Sequence, residues 1–158
     1  MNWDQYFDSI VETVRQKSPD TSSKYGAVVA DRNHRILATG YNGLPRGIRH
    51  REEYHQRPDK YMYFVHAEQN AVFNAAAVGT PILGALMYVL QPPCVECVKA
   101  IVQTGIAEVV YRERLDPLAN SSLIASDSHT LDNWRMNMEA AYSMLQEANV
   151  LLRVGQLT

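Results

Sequence analysis

Cys94 and Cys97, in "PPCVEC" (92–97), are the only cysteines among 158 residues, and "FVHAEQNA" (64–71) upstream carries His66 and Glu68. Two cysteines three apart on a helix share a face. Pro93 just before them suits a helix start, where the unpaired N–H groups and the helix dipole favour thiolates over thiols. Two thiolates and one imidazole give Zn²⁺ three protein ligands and leave a fourth tetrahedral position open, which is the catalytic rather than the structural arrangement. A four-cysteine site is impossible here. A carboxylate beside the open position is a base for a water acidified towards a pKa of about 7. Glu68 is two residues from His66, and in a regular helix such neighbours point nearly opposite ways. Both can border one cleft only if His66 sits at the irregular beginning of the helix. A lone Cys-x-x-Cys also occurs as a redox pair, and a lone His-x-Glu means little.

These groups need two strand-to-helix junctions on one edge of a sheet. "AEQNAVFNAAAV" (67–78) is rich in helix formers and ends at Gly79, a C-cap residue. "ALMYVL" (85–90) reads as a buried strand; a helix follows from Cys94 to about Thr104 and stops at Gly105, and "EVVY" (108–111) is the next strand. Near the start, Trp3, Tyr6, Phe7, Ile10, Val11 and Val14 recur at helical spacing behind an Asn2/Gln5 capping box. "YGAVVA" (25–30) and "RILATGY" (35–41) are β-prone runs joined by a short turn at "DRNH". Residues 42–63 are too many for a simple connector and are expected to line a site. Residues 112–133 read as polar and irregular, "NWRMNMEAAYSMLQEAN" (133–149) as a helix and "VLLRV" (150–154) as the last strand. Strands joined by single helices favour parallel pairing, while the hairpin must be antiparallel. The expectation is one domain, 1–158, built on a mixed five-stranded sheet flanked by helices.

Hydrophobic residues at 46% and charged residues at 20% fit a globular chain that buries its core without staples. A net charge of −2 argues against a general nucleic-acid partner, whose footprint would be basic. The opening "MNWDQYFDSIVETVRQKS" lacks a basic segment followed by an apolar block, and no apolar run is long enough to cross a bilayer. The expected setting is cytoplasmic and reducing, without a membrane partner. There a Cys-x-x-Cys pair serves a metal or catalysis rather than a structural disulfide.

His-x-Glu followed by Pro-Cys-x-x-Cys, each at a strand-to-helix junction, resembles the signature of the zinc nucleobase deaminases. The chain resembles the cytidine and deoxycytidylate deaminase superfamily, which implies a three-layer α/β/α cytidine-deaminase-like fold. It also implies His66, Cys94 and Cys97 as zinc ligands and Glu68 as the catalytic proton shuttle. In that chemistry activated water attacks C4 of cytosine, and Glu68 protonates N3 and then the leaving ammonia. Within the superfamily the resemblance is closest to the deoxycytidylate (dCMP) deaminases. It runs through "GYNGLPRG" (40–47), "DKYMYFVHAEQNA" (59–71) and "PPCVECVKAIVQTGIAEVVY" (92–111), of which the first discriminates among branches. The implied reaction is dCMP to dUMP, with one Zn²⁺ per chain. The implied assembly is a homo-oligomer, specifically a homohexamer, with dCTP and dTTP as effectors and Mg²⁺ accompanying the effector. A second, structural zinc is not expected, because the first exhausts the cysteines.

For the nucleotide, whether substrate or effector, the candidates are Lys24, Asn42, Arg46, Asn70, Asn74 and Tyr111. Asn42 sits in a glycine-flanked loop that a ligand can approach and can pair through both amide groups, although Asn-Gly is also a common turn. Lys24 and Arg46, with Arg49, Arg51, Arg57 and Lys60, are cations for a phosphate, and solvation at the surface is the ordinary fate of most. Asn70 and Asn74 share a helical face with His66, which suits the cleft or a subunit contact. Tyr111 ends a strand, where it stacks on a base or packs in the core. The rival readings are a same-fold deaminase of 5-substituted dCMP, guanine or transfer-RNA adenosine, a zinc-stabilised binding module without turnover, and a dithiol redox protein. Glu68 argues against the binding module, which has no use for a carboxylate beside an open metal position.

Overall fold

A strand that is apolar at every position has two faces to hide and belongs inside a sheet. A computed structural model of the chain describes residues 1–112 and 128–157, with 128–132 described by their backbone alone. In it β1 (Gly26–Ala30) and β3 (Leu86–Val89) take interior places in a five-stranded sheet. The order is β2-β1-β3-β4-β5, with β2 (Ile36–Tyr41), β4 (Glu108–Tyr111) and β5 (Leu151–Val154). Alternation along β1 and β3 divides the core in two. Ala27, Val29, Met87 and Val89 point to one side with Val109, while Val28, Ala30 and Tyr88 point to the other with Val110.

Helix α1 (Trp3–Arg15) covers the second side through Phe7 and Val11. Its start is fixed by the expected capping box: Gln5 N–H donates to the Asn2 side chain at 2.9 Å, and Asn2 N–H donates to the Gln5 side chain at 2.8 Å. The first side is covered by α3 (Ala67–Val78), α4 (Val95–Gln103) and α5 (Ser128–Glu147), through Ala71, Ala75, Val98, Ile101, Ala141 and Leu145. The three layers are those the sequence leads one to expect.

β1 pairs antiparallel with both β2 and β3, whereas β3–β4 and β4–β5 are parallel. The expectation that helix-joined strands pair holds for β3–β4 and β4–β5 and needs correcting for β2 and β3. These two run in the same direction, but β1 takes the inner edge of β2 as its hairpin partner and so lies between them. The 42–63 stretch holds a 3₁₀ turn (Glu52–His55) and the one-turn helix α2 (Lys60–Tyr63). Helix α5 begins at Ser128, earlier than the expected Asn133; the rest of the expected irregular stretch, residues 113–127, lies outside the described residues. The ends of β2, β3 and β4 share one edge of the sheet, and α3 and α4 both begin there.

Candidate metal centre

His66 and Cys94 occupy equivalent places on the two helices. Each is the residue just before a helix, with nearly the same extended backbone: φ −71°, ψ 156° for His66 and φ −71°, ψ 168° for Cys94. Their carbonyls accept from Asn70 N–H and Val98 N–H at 2.9 Å. Glu68 lies in the first turn of α3 and Cys97 in the first turn of α4.

Three features hold His66 at the edge of the sheet. Beyond β2 a single antiparallel bridge joins Gly43 to Val65, the residue before His66, with N–H···O distances of 3.1 and 2.8 Å. Helix α3 lies tight on β2 because Gly40 has no side chain; a Cβ there would stand 2.3 Å from both Ala67 O and Ala71 N. Asn70 and Asn74 each donate at 2.7 Å to edge-strand carbonyls, those of Tyr41 and Thr39.

His66 Nδ1 is 3.4 Å from both sulfurs, and the sulfurs are 3.6 Å apart. A disulfide needs about 2.05 Å, so both cysteines are free thiols. A tetrahedral zinc with N and S ligands at about 2.0–2.3 Å requires donors about 3.5–3.8 Å apart. The triangle is close to that size without rearrangement, so the three side chains fit the ion. No fourth His, Cys, Asp or Glu joins the group among the described residues. The Glu68 carboxyl, in the first turn of α3, lies near enough to His66, Cys94 and Cys97 to interact with them electrostatically.

The charges suit the same conclusion. Cys94 is held down to about 4 by the Cys97 thiol and His66 beside its sulfur, against the effect of burial. Cys97 is pushed up, because a second thiolate would face the first across a buried gap with Glu68 beside it. His66 is raised by its contact with Cys94. Burial raises Glu68. A divalent cation would relieve all of this at once, since both sulfurs then bind as thiolates and the imidazole as the neutral form.

Most of the other candidates are engaged with the protein itself. Asn42 is buried; its Oδ1 accepts from Tyr25 N–H at 2.7 Å, and its Nδ2 donates to Ser23 O at 2.8 Å and Asp20 Oδ2 at 3.0 Å. Lys60 is buried too. It pairs with Asp20 and donates to Ser22 Oγ at 2.8 Å, so it is not a surface cation waiting for a phosphate. Arg46 donates to Asn74 Oδ1, and Lys24 reaches Gln16 O at 3.5 Å. Arg49, Arg51 and Arg57 are exposed, the last two lying 5.5 Å over the rings of Tyr54 and Tyr61. Tyr111 ends β4, half-buried against the core. Two residues that shape the site have no motif to announce them, Asp20 and Asn137 of α5, whose Oδ1 accepts from Val95 N–H at 3.0 Å, while Gly40 opens the "GYNGLPRG" stretch without its packing role against α3 being legible there.

Residues 1–113 match the family description "cytidine and deoxycytidylate deaminase zinc-binding region". Over 117 residues the chain is 36% identical to human deoxycytidylate deaminase, covering 70% of this chain and 65% of the human protein. It is also 36% identical over 122 residues to a probable deoxycytidylate deaminase of Drosophila melanogaster, covering 70% and 59%. The chain thus spans less than two thirds of the length of these relatives. Its fold is similar to that of the dCMP deaminase of cyanophage S-TIM5 crystallised with dCMP and dUMP. That match has a TM-score of 0.68 and 27% identity over 94% of this chain and 93% of the other.

Proposed function

The chain belongs to the cytidine and deoxycytidylate deaminase family, and from that premise we propose that it is a zinc-dependent hydrolase converting dCMP and water to dUMP and ammonia. The observation that carries this reading is a group of only three donors among the described residues, His66, Cys94 and Cys97, spaced as a tetrahedral zinc requires, with Glu68 in the first turn of the helix that follows His66. A purely structural zinc site is closed by four protein ligands. In this reading His66, Cys94 and Cys97 hold one Zn²⁺ per chain. Zinc supplies Lewis acidity there, bringing a water's pKa towards about 7.

Glu68 does the proton work. Burial raises its carboxyl above the ordinary carboxylate value, which makes it a better proton acceptor than an exposed glutamate. It takes one proton of the attacking water and hands it to N3 of cytosine, then takes the remaining proton from the hydroxyl now on C4 and gives it to the leaving amino group. The oxygen remains at C4, and nitrogen departs as ammonia.

The choice of dCMP is supported by the deoxycytidylate deaminases among the relatives and by the proximity of the Asn42–Gly43 turn to His66 through the Val65 bridge. Lys24, Arg46 and Tyr111 are the proposed nucleotide contacts, with Arg49, Arg51 and Arg57 as further cations. Asn42, Asn70 and Asn74 shape the pocket through their internal bonds. On the family resemblance the proposal extends to one domain over 1–158, a cytoplasmic setting, and a homohexamer with dCTP and dTTP as effectors and Mg²⁺ beside them. Sedimentation with and without dCTP and Mg²⁺ tests assembly and effector together.

The substrate test is ammonia release from dCMP, dCTP, CMP, deoxycytidine, 5-substituted dCMP and guanine, with Glu68→Gln as control. The expected result is turnover of dCMP, lost in the control while zinc stays bound. Turnover of deoxycytidine or guanine with none of dCMP would reject the substrate and keep the chemistry.

A further inference from the structure

An α-helix leaves its first N–H groups without partners inside the helix, and a Ser, Thr, Asp or Asn just before it ordinarily satisfies one of them. Helix α4 has Cys94 in that place. Its side chain makes no capping bond that closes the helix end, because the sulfur faces His66 and Cys97. The N–H of Val95, the first of the helix, donates instead to Oδ1 of Asn137 at 3.0 Å. The acceptor comes from a different helix, 42 positions along the chain.

Asn137 is well placed to act as a fixed point. It is half-buried in the interior of α5, next to the buried Met138 and one turn before Ala141, which packs in the core against α4. Asn is a weak helix former, so its presence in a helix interior has its reason outside the helix. Val95 lies between the two cysteines. The Val95 N–H belongs to the peptide that joins Cys94 to Val95, so the acceptor that holds it also fixes the backbone from which the Cys94 sulfur is directed at Cys97 and His66. Asn137 also lies outside residues 1–113, the part that matches the family description.

We propose that Asn137 is a positioning residue for the metal-binding sulfurs: its amide oxygen fixes the first turn of α4, and with it the spacing at which Cys94 and Cys97 grip a divalent ion. The inference rests on the reading of His66, Cys94 and Cys97 as zinc ligands. Outer-shell partners of metal ligands typically change metal affinity by about 10–100-fold when removed, and an effect of that size is expected here.

The test compares zinc affinity, by competition with a chromogenic chelator, in the wild-type protein, Asn137→Leu and Asn137→Asp, with thermal unfolding recorded for each. Asn137→Leu removes the acceptor at similar volume and is expected to weaken zinc binding about 10–100-fold. Asn137→Asp keeps an oxygen in place and is expected to bind within about threefold of wild type, as Asn and Asp are near-equivalent caps. With Co²⁺ as the probe, the sulfur-to-cobalt charge-transfer bands shift in Asn137→Leu and not in Asn137→Asp. A merely structural role would lower the melting temperature of Asn137→Leu while leaving zinc affinity and the cobalt spectrum as in wild type, and that would overturn the proposal. Equal loss in both variants would also overturn it. Should Asn137→Leu not fold, Asn137→Ala replaces it with the same expected and contrary results. A wild-type protein with no zinc affinity would reject the ligand assignment itself, a failure distinct from that of Asn137.

Discussion

His66 and Glu68 stand two positions apart and still bear on the same pair of sulfurs, His66 Nδ1 lying 3.4 Å from each and the Glu68 carboxyl interacting with both electrostatically. The convergence depends on the backbone. His66 keeps the extended conformation of a capping residue, and only from Ala67 onward does the chain wind into α3. Had the helix begun a turn earlier, the two side chains would have pointed to opposite sides. One residue is thus directed at the metal position, and the other at whatever reacts beside it.

From this division of labour, Glu68→Gln should lose turnover while keeping the ion. Loss of a general acid–base group costs about 10²–10⁴-fold in rate. Steady-state kinetics with zinc content measured on the same preparation checks it. His66→Ala should behave in the opposite manner and lose zinc.

Gly40→Ala should loosen the site without touching it. The new methyl would stand 2.3 Å from the backbone of α3 at two points, where no side chain can move aside. Overpacking of this kind costs about 1–3 kcal/mol. The expected result is a lower melting temperature together with faster loss of zinc to a chelator, because α3 carries His66.

Asp20→Asn should destabilise the protein in a pH-dependent way. Burial alone would raise the Asp20 carboxyl, but hydrogen bonds from Lys60 and from Ser22 and Ser23 outweigh it and hold the group below its ordinary 3.8. A carboxyl lowered on folding stabilises the fold above its unfolded pKa, and that contribution is lost as pH falls through the folded value. With side chains only 2% (Asp20) and 10% (Lys60) exposed, breaking the pair should cost about 3–5 kcal/mol at pH 7. The gap between variant and wild type should start to narrow only as pH falls below the ordinary 3.8, and close once it has passed the lower folded value, where Asp20 is neutral in both states. Denaturant melts from pH 7 to pH 3 measure this; a gap that widens on acidification would contradict it.

Much of this arrangement is legible in the sequence, for physical reasons. The apolar runs at 26–30 and 86–89 declare interior strands, and Pro93 and Gly79 mark where helices begin and end. His66, Glu68, Cys94 and Cys97 reveal themselves because catalysis restricts residue type and spacing together. What cannot be read in advance depends on partners remote in sequence. Asn42 and Lys60 look like surface groups available to a nucleotide, and only the fold brings both to Asp20. The insertion of β1 between β2 and β3 is a choice among sheet edges that local pattern does not encode. The first turns of α5 are spelled "SHTLD" (128–132), which is poor in helix formers, so the start of the helix is hidden.

Metal removal should expose the asymmetry of the two thiols. In zinc-stripped protein Cys94, held down to about 4, should alkylate ahead of Cys97 and stay reactive near pH 6, where an ordinary thiol is almost wholly protonated. Mass spectrometry after a brief iodoacetamide pulse assigns the site. Adding Zn²⁺ first should protect both cysteines.

A zinc ion held by three side chains with one position open to solvent has a distinctive coordination shell, which X-ray absorption at the zinc edge of the purified protein measures. The expected shell is two sulfurs at about 2.3 Å and two nitrogen or oxygen neighbours at about 2.0–2.1 Å, one of them displaced by a cytosine-site inhibitor. A shell of four sulfurs from ions shared between chains, or a shell that no inhibitor alters, would contradict it.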